Sequence, residues 1–179
     1  IRFPFSIRSG MVLWNWLSLD TRTFQPRPGE TPQSARGRYL VDHLEHGDTC
    51  HTPRTLFMGP ASGRSLSGAV VGAWYAPNIT PDKIAGIAEW TDSDLRNYLT
   101  SGHALNKGQA AGPMAEVVTN STRFLTSDDI DALIAYLREV PAIAGSEQRS
   151  RASYEGAGRP EDVARGQINP EDRGWKIFS

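Results

Sequence analysis

The sequence predicts an all-α fold in which two or three helices are separated by long, ordered loops. Two segments carry complete helix punctuation, WTDSDLRNYLTSG (residues 90–102) and LTSDDIDALIAYLREVP (125–141). A third, ARGRYLVDHLEHG, starts near residue 34. Between them, residues 52–89 show Pro, Gly and Ser throughout and little periodicity. Seventeen glycines and twelve prolines are many for 179 residues and leave room for few strands. Loops of this length are uncommon in a compact domain unless a ligand or a function orders them.

Taken in order, residues 1–19 are rich in Phe3, Phe5, Met11, Leu13, Trp14, Trp16 and Leu17, with Arg2 and Arg8 interrupting them. Two readings stand: an arm packed on this domain or a neighbour, or a membrane-surface helix. Residues 20–34 read as a Pro-rich linker. Ser34 is a plausible N-cap for the first core helix, Tyr39, Leu40 and Leu44 share one side of it, and Gly47 can end it.

In the second core helix Thr91 can cap, Asp94 is the third residue near the positive end of the dipole, and Trp90 and Leu95 have staple spacing. Gly102 is placed to close it. The third repeats this with Thr126, Asp129 and the pair Leu125 and Ile130. There Ile130, Leu133, Ile134 and Leu137 form an apolar stripe, and Pro141 ends the helix. Residues 145–170 are polar and glycine-rich, and RGWKIFS regains apolar character. The expected organisation is an aromatic arm and linker over 1–33, the principal domain over 34–144, and a linker with the start of a truncated further domain over 145–179. The chain opens on Ile1, so it reads as a piece of a longer or processed protein.

Nineteen basic and twenty acidic residues give a net charge of −1, which offers no electrostatic case for nucleic acid. No apolar run reaches the ~20 residues that span a bilayer. Cys50 is the single cysteine, so the chain has no internal disulfide.

The string HGDTCHTPR (46–54) carries the chemistry. Covalent haem attachment shows as C-x-x-C-H, two thioether cysteines followed by the proximal histidine. Cys50 and His51 supply the second half of that motif, and Gly47 stands at the first-cysteine position. A low-spin electron-transfer haem takes a second axial ligand, commonly a methionine thioether. Met114, in AAGPMAEVV, follows Gly112-Pro113, where the proline restrains the approach of the next side chain. Taken alone, Met114 reads as readily as a core residue.

The strings HTPR, WYAPNITPD, GIAEWTDSDLRNYLTSG, AAGPMAEVV and DIDALIAYLREVPA, in this order, resemble a central haem domain. The domain is that of the multihaem cytochrome c subunits of bacterial membrane-bound alcohol, gluconate, sorbitol and aldehyde dehydrogenases. The likeness runs from about Phe3 to Ala142. FPFSIRSGMVLWNWL resembles the stretch joining that family's first and second haem domains, and RGWKIFS the entry to a third.

The resemblance implies a class I cytochrome c-like fold with its long loops wrapped around one haem c. It implies a thioether from Cys50, with Gly47 leaving only that one, and axial ligation by His51 and Met114. Arg54, Tyr75, Asn78 and Trp90 match positions near the haem, the first, second and fourth being candidates to hydrogen-bond propionates. Gly37 and Tyr136 match the crossing point of the terminal helices. The implied function is one-electron transfer from a partner dehydrogenase or a neighbouring haem toward a quinone or terminal oxidase, as part of an oxidoreductase complex and not as a catalyst alone. The implied setting is the periplasmic side of a bacterial inner membrane, with membrane association through the parent complex.

Three rivals remain. His43, His46, Cys50 and His51 form H-x-x-H-x-x-x-C-H, and zinc accepts such nitrogen and sulfur ligands. Gly47, however, interrupts the helix between the two pairs. A thiol enzyme is the weaker rival, because adjacent Cys50 and His51 point apart on a helix. A haemless interaction module using the aromatic arm is the third.

Overall fold

The computed structural model describes residues 8–19 and 21–145. The arm, α1 (Ser9–Ser18), is helical and touches the rest of the chain through Trp14, whose indole N–H donates to the Phe57 carbonyl at 2.8 Å. Met11, Val12, Leu13 and Trp16 are exposed. Residues 1–7 of the arm and the 146–179 part of the expected C-terminal linker and domain entry lie outside the described residues.

The Pro-rich segment is tied to the first core helix. Arg38, buried on α2 (Pro32–Tyr39), donates to both oxygens of Glu30 at 2.7 and 2.8 Å and to the Gln25 carbonyl at 2.8 Å. Its guanidinium also lies over the Phe24 ring, 4.3 Å from the centroid. The observed cap of α2 is Thr31, which accepts from Ser34 N–H at 3.1 Å with Pro32 at the first helical position. The helix therefore starts three residues before the Ser34 cap expected from sequence, because Thr-Pro is itself a start signal.

α2 runs on into a π-helical turn, Leu40–Leu44, closed by Glu45 N–H donating to Leu40 O at 2.8 Å. The wide turn inserts a residue, so Leu40 is fully buried while Leu44 rotates off the apolar side and is exposed. His46 then takes a left-handed φ of 56° and breaks the helix. Gly47 does not end this helix as the sequence suggested; it begins the short α3 (Gly47–His51).

The fold is mostly helical but not all-α. β1 (Ala69–Val71) pairs antiparallel with β2 (Trp74–Ala76), with Val70 opposite Tyr75. β3 (His103–Ala104) pairs with β4 (Gly108–Gln109). Strands of two or three residues leave no alternation long enough to read in a sequence.

α4 (Asp92–Ser101) and α6 (Ser127–Glu139) match their punctuation. Thr91 and Asp94 form a reciprocal capping box, Gly102 closes α4 at φ 79°, and Thr126 accepts from Asp129 N–H at 3.2 Å. α5 (Pro113–Asn120) lies between them, followed by a 3-10 turn at Thr122–Phe124.

α2 crosses α6 at Gly37, where a Cβ would stand 1.9 Å from Ala132 O and 2.8 Å from Tyr136 Cβ. This is the crossing expected of Gly37 and Tyr136. The Tyr136 hydroxyl donates to Asp42 at 3.0 Å and pins α6 to the π turn. Burial pushes the Asp42 carboxyl above the usual carboxylate range and raises the Tyr136 phenol likewise. Leu40, Val41, Ile87, Trp90, Leu95, Ile130, Leu133, Ile134 and Leu137 close one buried cluster. Its open side faces the cavity described next.

Candidate functional site

A cavity of about 340 Å³ opens between α3, the β1–β2 hairpin, α4, α5 and α6. That volume falls within the range of small-molecule and cofactor sites, roughly 300–1,000 Å³. Val41, Ile79, Ile87, Leu95, Leu133 and Leu137 make much of its wall apolar. Cys50, His51, Tyr75, Trp90 and Met114 all line it, so five of the seven site residues named from sequence meet at one place.

His51 ends α3 and is buried. Its backbone carbonyl accepts from Gly68 N–H at 2.7 Å, and its ring Nδ1 lies 2.7 Å from Pro77 O. A carbonyl only accepts, so Nδ1 is the donor in this contact, and in the neutral ring the lone pair then belongs to Nε2. An imidazole oriented this way is the usual state of a metal-ligating histidine. The following residue braces it: Thr52, buried, donates to Asp48 and accepts from Leu66 N–H at 2.9 Å.

Met114 arrives from the opposite side of the chain order, as the second residue of α5. Gly112, at φ 52°, lets the loop press against the Trp74 ring; a Cβ there would fall 2.4 Å from Trp74 Cε2. Pro113 then starts the helix, and Met114 is half-buried in the cavity wall.

Trp90 is buried and meets Tyr98 edge to face at 5.5 Å. Its carbonyl accepts from Arg138, which also donates to Ile87 O at 3.0 Å and to Asp92, so α6 clamps the loop that carries this wall. Tyr75 is exposed over much of its surface, and its hydroxyl leaves no room for a side chain at Gly68.

Two of the named residues stand elsewhere. Arg54 is exposed and donates to Thr49 O at 3.0 Å. Asn78 is buried behind the wall residue Ile79. Its carboxamide donates to Ile143 O at 2.7 Å and accepts from Thr80 N–H at 2.9 Å and the Thr80 hydroxyl at 2.7 Å.

Sequence reading missed Pro77, Trp74, Tyr98 and Glu45. Pro77 acts through its carbonyl, which every residue has, so no signal could single it out. Glu45 also lines the cavity, accepting from Ser121 Oγ at 2.8 Å. The density of aromatic residues around 74–75 and at 98 was the one available hint for the others.

The zinc reading finds no constellation. Among the described residues no three His, Cys, Asp or Glu side chains gather as a metal-holding group. His43 instead makes ring contacts with Phe24 and Tyr39, 5.4 and 5.9 Å between centroids. By contrast, an oriented imidazole, a thioether and a thiol on one apolar cavity fit the donor chemistry of a covalently tethered porphyrin iron.

The chain is homologous to the cytochrome c subunits of bacterial dehydrogenases, as its strings resembled. It is 41% identical over 168 residues to the fructose dehydrogenase cytochrome subunit of Gluconobacter japonicus, a match covering 93% of this chain and 34% of that protein. To the gluconate 2-dehydrogenase cytochrome c subunit of Pantoea cypripedii it is 38% identical over 152 residues, 79% of this chain and 34% of that one. A diheme cytochrome c-type protein of Cereibacter sphaeroides is 38% identical over 146 residues, with 80% and 47% covered. The chain thus spans about a third of the length of the dehydrogenase subunits it matches. No protein-family model matches it. Among the described residues no helix is long and apolar enough to cross a membrane.

Proposed function

We propose that residues 34–144 form a cytochrome c-like unit holding one haem c, and that it relays single electrons. The electrons come from a partner dehydrogenase subunit or a neighbouring haem domain and leave toward a quinone or terminal oxidase. The setting is the periplasmic side of a bacterial inner membrane, with membrane association through the parent complex. In this reading residues 1–33 are an arm and linker, and 145–179 a linker leading to a further domain. The observation that carries it is that His51 and Met114, distant in sequence, line one apolar cavity together with Cys50.

When bound, the haem supplies a one-electron couple between ferric and ferrous iron. His51 would bind it through Nε2, its ring directed by the Nδ1 contact with Pro77 O. Met114 offers a soft sulfur that favours the ferrous state and raises the potential. With His51 and Met114 both serving as its ligands, the iron would have no coordination site left for substrate or oxygen. Cys50 tethers the group by a single thioether, since Gly47 brings no thiol. Tyr75 and Trp90 would hydrogen-bond the propionates, and Arg54, exposed three residues after His51, would contribute its charge. Asn78 supports the site from behind, by holding Thr80 and Ile143 against the wall that Ile79 forms. The apolar wall excludes water and limits reorganisation as the charge changes.

The deciding experiment is a visible spectrum of the chain co-expressed with cytochrome c maturation machinery, oxidised and reduced, followed by acid-acetone extraction. Sharp reduced α and β bands with the colour retained by the protein are expected. A colourless, folded chain overturns the reading.

A further inference from the structure

We propose that position 47 is an intact but unused thioether position, which the fold would accept as cysteine without rebuilding. The proposal rests on the reading of the cavity as a c-type haem site and states how this chain's own residues set the number of covalent bonds to it.

Three observations carry it. First, Gly47 and Cys50 both line the cavity from α3, and residues three apart on a helix share a face. Second, the backbone does not demand glycine at 47: the left-handed turn belongs to His46, at φ 56°, and Gly47 is absent from the positive-φ residues. Third, the crowding is mild. A Cβ at 47 would meet Val41 Cγ1 and Val41 O at 3.3 Å each, closer than an ordinary contact, so Val41 must give by a few tenths of an ångström to admit it.

The contrast with other glycines is sharp. A Cβ would stand 1.9 Å from Ala132 O at Gly37, 2.0 Å from Thr80 O at Gly86, and 2.4 Å from the Trp74 ring at Gly112. At those places glycine is an architectural requirement. At 47 the departure from C-x-x-C-H is mainly chemical, with a close contact to Val41 as its one steric element.

The chemistry balances without an oxidant. At Cys50 the thiol S–H adds across a vinyl C=C: a C–S bond forms at the carbon next to the porphyrin, and the hydrogen passes to the terminal carbon. Position 47 has no S–H to add, so the second vinyl stays an alkene, conjugated with the ring. Gly47→Cys permits the same addition there.

The test compares the full wild-type chain with Gly47→Cys and Gly47→Ala, each co-expressed with maturation machinery. The readouts are the pyridine haemochrome spectrum, thiol titration of the denatured protein, and the urea unfolding midpoint. Wild type should show an α band between those of haems with no thioether and with two, and no titratable thiol. Gly47→Cys should move the band to the two-thioether wavelength and still show no thiol. Gly47→Ala should match wild type in spectrum and midpoint. One titratable thiol with an unmoved band in haem-loaded Gly47→Cys overturns the proposal, as does a marked loss of folding in Gly47→Ala. A wild-type chain that folds yet takes up no haem instead sinks the cofactor reading beneath it, while the Ala midpoint still judges the space at 47.

Discussion

The Nδ1 of His51 lies 2.7 Å from the carbonyl oxygen of Pro77, across the gap between α3 and the end of the β1–β2 hairpin. This contact selects a tautomer from the protein side alone, because the acceptor has no proton to give. We therefore expect the neutral His51 ring in the haem-free chain to be the Nδ1–H form. Long-range proton–nitrogen correlation spectra of the histidine rings check this. A predominant Nε2–H form at His51 would show that the ring is not held ready for a metal.

Replacement of Met114 tests the opposite face of the cavity. In the haem-loaded protein Met114→Ala should lower the midpoint potential by on the order of 0.1 V, within the roughly 0.8 V that axial ligation spans. It should also let imidazole or carbon monoxide bind where wild type refuses them. An unchanged potential with no binding of either ligand would remove Met114 from the axial position.

How much of this was legible depended on range. The caps at Thr91 and Thr126 and the closing Gly102 were readable because cap chemistry is local, within three or four residues. Cys50, His51 and Met114 could be named from residue type, order and family likeness. Their convergence could not, since it depends on how α5 and the β1–β2 hairpin fold over α3. The π turn at Leu40–Leu44 had no sequence mark, and without it Gly47 looked like the end of a helix when it is the start of one. The strands escaped for a different reason: at two or three residues, their pairing is decided by the turns at their ends and not by any pattern of their own. Tertiary hydrogen bonds such as Asn78 to Ile143 were likewise invisible, because a buried carboxamide reads the same whether it faces a cofactor or a carbonyl.

Acid stability should follow Glu30. Hydrogen bonds from Arg38 hold its carboxyl down to about 2 from the ordinary 4.5, against the opposing effect of burial. The unfolded chain therefore takes up this proton at a higher pH than the folded one. Its stabilisation is fully present above about pH 4.5 and is lost as pH falls toward 2. Glu30→Gln should cost about 2 kcal/mol at neutral pH, as for hydrogen bonds to charged groups, and should flatten that part of the acid limb. Urea midpoints measured from pH 7 to 2 decide it; parallel curves for the two proteins would refute the assignment.

Gly37 sets the closeness of α2 and α6. Gly37→Ala forces a methyl to within 1.9 Å of the Ala132 carbonyl, which belongs to helix backbone and cannot swing aside. A loss of about 3 kcal/mol is expected, at the upper end of typical overpacking costs. The Gly47→Ala variant is the matched control, adding the same methyl where its closest neighbours stand at 3.3 Å instead of 1.9 Å. Equal unfolding midpoints for the two variants would contradict the crossing geometry.

Asn78 separates a structural pin from a cofactor contact. Its amide reaches Ile143 O, and its carbonyl oxygen satisfies the fully buried Thr80, whose hydroxyl in turn accepts from Ile143 N–H at 3.1 Å. Asn78→Ala leaves the Thr80 amide buried without an acceptor, a defect worth about 1–3 kcal/mol. We expect lowered stability, faster hydrogen exchange at Thr80 and Ile143, and an almost unmoved midpoint potential in the loaded protein. If the potential shifts strongly while exchange at Ile143 does not change, Asn78 acts on the haem itself, and the segment after α6 is held by something other than this side chain.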